Sequence, residues 1–437
     1  MKQLVTIILL TSALQFTKAQ TELHFNNLDS LLLYTENNSY TIKNNQQKTL
    51  LAKWQKIAAQ TGIVNFKMQT NFNMTNNLKL PVTYLPAEAF GGTPGTFKEV
   101  TTGQQYMSNL NILPQIDLFN LSSWAKLKST KIDSKLTQVT NKLTKKFLFE
   151  SIAASYYNII SLQSQIETTI NTLKIADSLL TNIQRKHNQG LIRLQDLNDA
   201  KVNQLTTSNQ LQQLKKSLKQ QKLNLKILCG IPSKSKIVIN EKHDDKNIYL
   251  KNLFTNNDLK YQQSLLELDK SKSEIKRNKF LQLPVLSFAY YNAWQQNSND
   301  AFFDNNINWT NSQYIGLRLN IPFPNINAHT QTKMAKINAK TAQQNAEHIK
   351  LQNELENKQM TLDYEKALSQ FETNKQITIL KEENYNLMLN QFNEGVLATD
   401  KLLIAFNDML ISRLNYNIAY ANLLYNISKI NINNQIN

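Results

Sequence analysis

Five histidines (His24, His187, His243, His329 and His348) and one cysteine, Cys229, are the residues of this 437-residue chain best suited to metal or nucleophilic chemistry. A zinc site needs three or four such ligands at short, paired spacing. No two of the six are near neighbours in sequence, and there is no second cysteine. Neither a metal centre nor an intrachain disulfide is indicated. The glycines outside residues 80–103 are isolated, so no loop of them cradles a phosphate. The sequence shows no catalytic constellation and calls for no cofactor. Cys229 reads as a small buried residue closing a helix. Two aspartates stand out, Asp196 and Asp400, each shortly after an isolated glycine, Gly190 and Gly395. There they would favour the positive N-terminal end of a following helix. His187, beside Gly190, reads as a solvated turn residue rather than a pH sensor.

The elements holding these aspartates are long. Neither glycine nor proline occurs from Gln115 to Gln189 or from Leu191 to Cys229, and from Asn325 onward the only one is Gly395. Without those breakers, uninterrupted helix is expected on both sides of each glycine. Gly190 and Gly395 are then the places where the chain reverses, because glycine takes positive φ without steric cost. A helix over 121–186 would be about 100 Å long, more than a compact domain holds. Its apolar rows are narrow: Ile159, Leu162, Ile166, Leu173, Leu180 and Ile183 follow coiled-coil spacing. Aligning Gly190 with Gly395 also aligns Asn188 with Asn393, and Leu191-Ile192 with Val396-Leu397. The chain reads as a tandem duplication. The first repeat, 20–240, holds a helix over 22–60, a β-hairpin over 63–119 and a helical hairpin with its tip at 187–199. The second, 241–437, holds a helix over 256–279, a β-hairpin over 282–323 and a helical hairpin with its tip at 392–402.

In the hairpins the period changes to two. Phe66, Met68, Phe72 and Met74 alternate with Lys67, Gln69, Asn71 and Asn73. Leu110, Ile112 and Ile116 alternate with Asn109, Asn111 and Gln115, and strands near 283–295 and 312–321 behave likewise. Residues 80–103 between the first two strands read as a long exposed loop. Such two-faced strands suit a transmembrane barrel whose apolar face meets lipid. Four strands cannot close a barrel, and lipid does not tolerate an open edge, so several chains must contribute. On that reading Trp294 and Trp309 anchor the membrane interface, with ordinary packing as the alternative.

The formal charge is +17, spread along the predicted helices, which reads as solvated faces rather than a nucleic-acid surface. The N-terminus resembles a secretory signal: Lys2, an apolar run from Leu4 to Leu14, and a small residue, Ala19, after which cleavage is expected.

Together these pieces resemble the TolC-like outer-membrane efflux proteins. The resemblance rests on the two tips, Asn188-Gln189-Gly190-Leu191-Ile192 and Asn393-Glu394-Gly395-Val396-Leu397. It rests also on Leu228-Cys229-Gly230-Ile231-Pro232, Gln282-Leu283-Pro284 and Ile321-Pro322-Phe323, and it spans essentially the whole mature chain. It implies a mainly helical fold with a membrane β-barrel portion. Tandem helical hairpins would form a periplasmic α-barrel, and four strands per chain would enter a homotrimeric 12-stranded barrel in the outer membrane. It implies a periplasmic adaptor and an inner-membrane transporter, of RND or ABC type, as partners. It also places the periplasmic gate at the two tips, around Gly190 and Gly395, with Asp196 matching the family's first-tip aspartate; packing around Phe392 and Leu397, with Asp196 and Asp400, is expected to close it. The second tip departs from the family pattern. Phe392 stands where a tyrosine is usual, Leu397 where an arginine is, and Lys401 and Ile404 where aspartates are. The function implied is a passive exit duct. The rival reading is a periplasmic coiled-coil adaptor or scaffold without a pore, which would have to bury the apolar strand faces.

Overall fold

The computed structural model describes residues 22–240, 249–250 and 258–436. The expected signal peptide and His243 lie outside them. In chain order the elements are β1 (Glu22–Phe25), α1 (Leu28–Asn38), α2 (Tyr40–Thr61), β2 (Lys67–Asn76), β3 (Val82–Pro86), a 3₁₀ turn (Ala87–Phe90), β4 (Phe97–Thr101), β5 (Tyr106–Phe119), α3 (Leu121–Asn188) and α4 (Leu194–Cys229). Then follow β6 (Lys236–Ile239), α5 (Leu259–Phe280), β7 (Val285–Ser298), β8 (Thr310–Asn320), α6 (Ile326–Asn393) and α7 (Thr399–Gln435).

The glycine-free stretches are the long helices. α3 and α6 each run 68 residues, and α4 and α7 run 36 and 37. Among the described residues, no helix is long and apolar enough to cross a membrane.

Contacts divide the chain into two units. One comprises residues 50–137 and 264–346. It holds a four-stranded antiparallel sheet in the order β2-β5-β7-β8, whose edge strands are β2 and β8. Period-two patterning sorts most of its residues, with Asn292, Asn311 and Gln313 interrupting the apolar face and Leu113 the opposite one. Phe72, Leu110 and Trp294 share one row, and Ile116, Phe288 and Leu317 another. Asn73, Asn109 and Gln295 share a row on the opposite face. The apolar face is not covered in this chain: Ile315 is 71% and Leu317 69% exposed.

The other unit comprises residues up to 49, 138–263 and 347–437. Its cores lie between helices. One gathers Leu31, Ile152, Tyr156, Ile159 and Leu225 beneath a two-stranded parallel pair, β1 with β6. A second gathers Ile183, Leu197, Phe392, Leu402 and Phe406, and a third Tyr364, Phe371, Tyr420 and Leu423.

Three expectations need correction. The helix over 22–60 is instead β1, α1 and α2, broken where Ser39 takes an extended conformation with ψ 131°. There Ser39 Oγ donates to the Leu228 carbonyl at 3.0 Å, so tertiary contact overrides local helix propensity. At the same crossing a Cβ on Gly230, whose φ is +71°, would come 2.5 Å from the Asn38 carbonyl oxygen. Only glycine fits. Residues 80–103 are not plain loop but contain the β3–β4 hairpin, with Tyr84 opposite Glu99. The second helix begins at Leu259, with Asp258 outside it, and residues 256–257 of the expected start lie outside the described residues.

Candidate functional site

The predicted tip residues fall in the helical unit, and the two turns are built alike. α3 ends with Gly190 at φ +78°, its N–H donating to the His187 carbonyl at 2.8 Å and that of Leu191 to Lys186 at 2.9 Å. α6 ends with Gly395 at φ +80°, its N–H donating to the Phe392 carbonyl at 3.1 Å and that of Val396 to Gln391 at 2.9 Å. Both turns satisfy the last helical carbonyls through a left-handed glycine. Nothing lies within 4 Å of a Cβ built on either glycine, so conformation and not space selects them.

Phe392, Leu397, Asp196 and Asp400 all line one open cleft of about 690 Å³, with Lys186, Ile192, Arg193 and Asp199. The four do not play equal parts. Phe392 is 2% exposed and packs inside the chain against Ile183, Leu197, Leu402 and Phe406. Leu397 is half-buried against the same cluster. Asp196 sits in the first turn of α4, where the Arg193 N–H donates to its Oδ2 at 3.2 Å. That is the position in which a carboxylate satisfies an orphan amide and meets the positive end of the helix. Asp400 is exposed in the first turn of α7.

The residue the sequence did not single out is Lys186. Its Nζ donates to the Phe392 carbonyl at 2.8 Å and lies 4.1 Å from the centre of the Phe392 ring. One ammonium thereby ties the first tip to the second, through a charge-assisted hydrogen bond and a cation–π contact. Asn182 Nδ2 adds a bond to Asn393 Oδ1 at 3.2 Å. In sequence, Arg185-Lys186-His187 carries only the ordinary preference for cations at a helix C-terminus. Nothing in it points to a partner so distant along the chain. His187 Nδ1 meets the Ile192 carbonyl at 2.9 Å, closing its own turn. Among the described residues no group of histidine, cysteine or carboxylate is arranged to hold a metal ion.

On the sheet, Trp294 lies on the apolar face, in register with Leu110 and Asn311. Trp309 is in the β7–β8 connection, its ring 6.1 Å from Phe303, which stacks on Phe72 at 6.0 Å. Phe302 meets Tyr106 edge-on at 4.9 Å. The aromatics thus gather where the apolar face ends and the loops begin.

A sheet with one exposed apolar face and one amide-rich face, in a chain that also carries two hairpins of very long helices, defines the class: a two-faced antiparallel sheet with extended helical hairpins. Residues 91–230 match the family model for outer membrane efflux proteins. The fold is shared with the outer membrane protein VceC of Vibrio cholerae, at 14% identity and a TM-score of 0.71, covering 92% of this chain and 94% of that one. It is shared with the CmeC outer membrane channel of Campylobacter jejuni, at 14% identity and a TM-score of 0.73, covering 93% and 85%. It is shared also with the MtrE outer membrane channel of Neisseria gonorrhoeae, at 10% identity and a TM-score of 0.70, covering 93% and 88%. No curated protein matches in sequence. The resemblance to TolC-like outer-membrane efflux proteins, read from the tips and strand starts, holds in the family match and in the fold.

Proposed function

We propose that this chain is the subunit of a passive outer-membrane exit duct, part of a tripartite efflux or secretion system. The observation that carries the reading is the four-stranded sheet. Its apolar face is exposed, its other face is rich in asparagine and glutamine, and both its edges are open. From Leu286 to Trp294 the row on β7, apolar except at Asn292, extends ~27 Å at ~3.4 Å per residue, and a barrel tilt of ~40° lowers its height to ~21 Å, a little short of the ~25 Å apolar band of outer-membrane barrels. Such a sheet is stable in lipid only when closed. Three copies supply the closure, giving a 12-stranded barrel, with Trp294 and Trp309 at the membrane interface. The long helices are the periplasmic part, and their tandem arrangement reflects duplication of one repeat. A periplasmic adaptor meets the tips, and an inner-membrane transporter supplies the energy. The duct itself catalyses nothing.

The tips are the gate. Phe392 and Leu397 hold the two hairpins of each chain together, Lys186 ties them, and Asp196 and Asp400 set the charge of the cleft.

The test is single-channel conductance of the detergent-purified mature chain in a planar bilayer, with the oligomer mass taken from the same sample. Discrete steps from a trimer are expected, rising when Lys186→Ala loosens the tips. A soluble monomer that never inserts sinks the duct and leaves the scaffold reading in its place.

A further inference from the structure

The amide-rich face of the sheet carries one feature its composition does not explain. Tyr291 and Tyr314 are direct cross-strand partners on it, stacked with ring centres 4.9 Å apart and planes 24° from parallel. Tyr314 is 53% exposed. A stacked pair on a water-facing surface keeps an apolar π-face available at little entropic cost, since each ring has only two side-chain torsions.

The surroundings form a trough beside the pair. The next row on the same face is Ala289 opposite Gly316. Nothing lies within 4 Å of a Cβ built on Gly316, so the floor is open on the β8 side, while Ala289 on the β7 side is 3% exposed. The row beyond is Ser287 opposite Arg318. Arg318 leans across the strands toward Gln115, its Nη1 3.5 Å from Gln115 Oε1, in a long bond that leaves most of its five donors for other acceptors. Same-face rows are spaced by ~7 Å, and because the guanidinium reaches toward the Gln115–Ala289–Gly316 row it stands about one row from the tyrosine rings, a spacing that an aromatic anion can bridge. Lys67 lies on the same face, in register with Gln115. The nearby acid, Asp117, accepts from Asn65, Asn120 and Ser287. Those donors are neutral and leave its negative charge in place, so Lys67 and Arg318 against Asp117 leave the trough one positive charge in excess.

We infer that this face holds a subsite for planar aromatic anions, with the Tyr291–Tyr314 pair stacking on the ring and Arg318 pairing with the carboxylate or sulfonate. The inference rests on the duct reading, in which this face lines the water-filled interior. It names a class of passenger that would be held briefly there, by contacts weak enough to release it.

The test uses the purified oligomer and pyranine, an aromatic trisulfonate too polar to enter detergent micelles, with citrate as a non-aromatic trianion. Fluorescence anisotropy titration should give saturable pyranine binding that citrate displaces poorly. Tyr291→Ser with Tyr314→Ser should weaken it by about five- to tenfold, the scale of a lost stacking contact. Arg318→Gln should weaken pyranine and citrate alike, with oligomer mass unchanged in every variant. Pyranine binding that is equal in wild type and the tyrosine variant, on an intact oligomer, overturns the subsite and leaves the duct standing. A wild-type chain that is monomeric and never enters a bilayer overturns both.

Discussion

Truncating Phe392 to alanine removes the side chain on which the tip is built. The ring is 2% exposed among Ile183, Leu197, Leu402 and Phe406, so its loss leaves a cavity that these four cannot fill without moving helices. Phenylalanine-to-alanine changes at such sites cost ~3–5 kcal/mol. The Lys186 contact, 4.1 Å from the ring centre, adds ~0.5–1 kcal/mol, while its bond to the Phe392 carbonyl survives because it engages the backbone. The cost falls on local opening of the tip, since the other two cores share no residue with this cluster. At ~1.4 kcal/mol per decade, hydrogen-exchange protection around 183–192 and 392–406 should fall by roughly two to four decades. Protection near Ile152 and Tyr420 should hold. Leu387→Ala on the same helix, at a side chain 63% exposed, is the control and should change little. Unchanged tip protection in Phe392→Ala would refute the claim that one buried ring holds the two hairpins together. Loss spread evenly over all helices would refute the claim that the tip opens on its own.

Other expectations follow from single contacts. Gly230→Ala should lower the unfolding midpoint markedly and cut folded yield, because its Cβ meets the Asn38 carbonyl at 2.5 Å and its φ is +71°; Gly91→Ala, also at positive φ but with nothing within 4 Å, should cost only ~1 kcal/mol in the same melt. Burial pushes the Cys229 thiol up to about 11 from 9.0, so iodoacetamide should label the native protein at pH 8 far more slowly than the urea-unfolded chain. Because the folded value is the higher, that stability is whole below pH 9 and drains away between pH 9 and 11, by ~3 kcal/mol in a pH-dependent melt. Lys146 and Glu150 are a largely buried pair 3.9 Å apart, each held toward its neutral form by burial. Lys146 Nζ also donates to the buried Asn433 Oδ1, so Glu150→Gln alone should destabilise by a few kcal/mol, whereas Lys146→Met with Glu150→Leu and Asn433→Leu should be neutral or stabilising, as read by denaturant midpoint.

What could be read from the residues alone was whatever repeats locally. Absent breakers foretold α3 and α6, and alternation foretold β2, β5, β7 and β8 to within a few residues, because both signals are carried by neighbours in sequence. β1 and β6 escaped notice for the opposite reason. Each is four residues long, and Glu22 meets Lys236 only after the chain has passed through the whole first hairpin. The break at Ser39 had no local cause either, being made by the Leu228 carbonyl. β3 and β4 carry no clear period: Leu85 follows Tyr84, and Phe97 and Val100 point to opposite faces, amid glycines and prolines that suggest loop. At the tip, glycines and aspartates announced themselves by position. Lys186 did not, since a lysine near a helix end is commonplace until its partner is known.

The open edges of β2 and β8 also bear on inheritance. A subunit with a proline set into either edge would still fold its helices and still offer its intact edge to a neighbour. It would enter rings and spoil them. In a cell making both forms, sound copies of the proposed three-membered ring would decline as the cube of the normal subunit's share. Edge-strand defects should therefore be dominant, whereas defects that unfold the helical cores, and so keep the chain out of rings altogether, should be recessive.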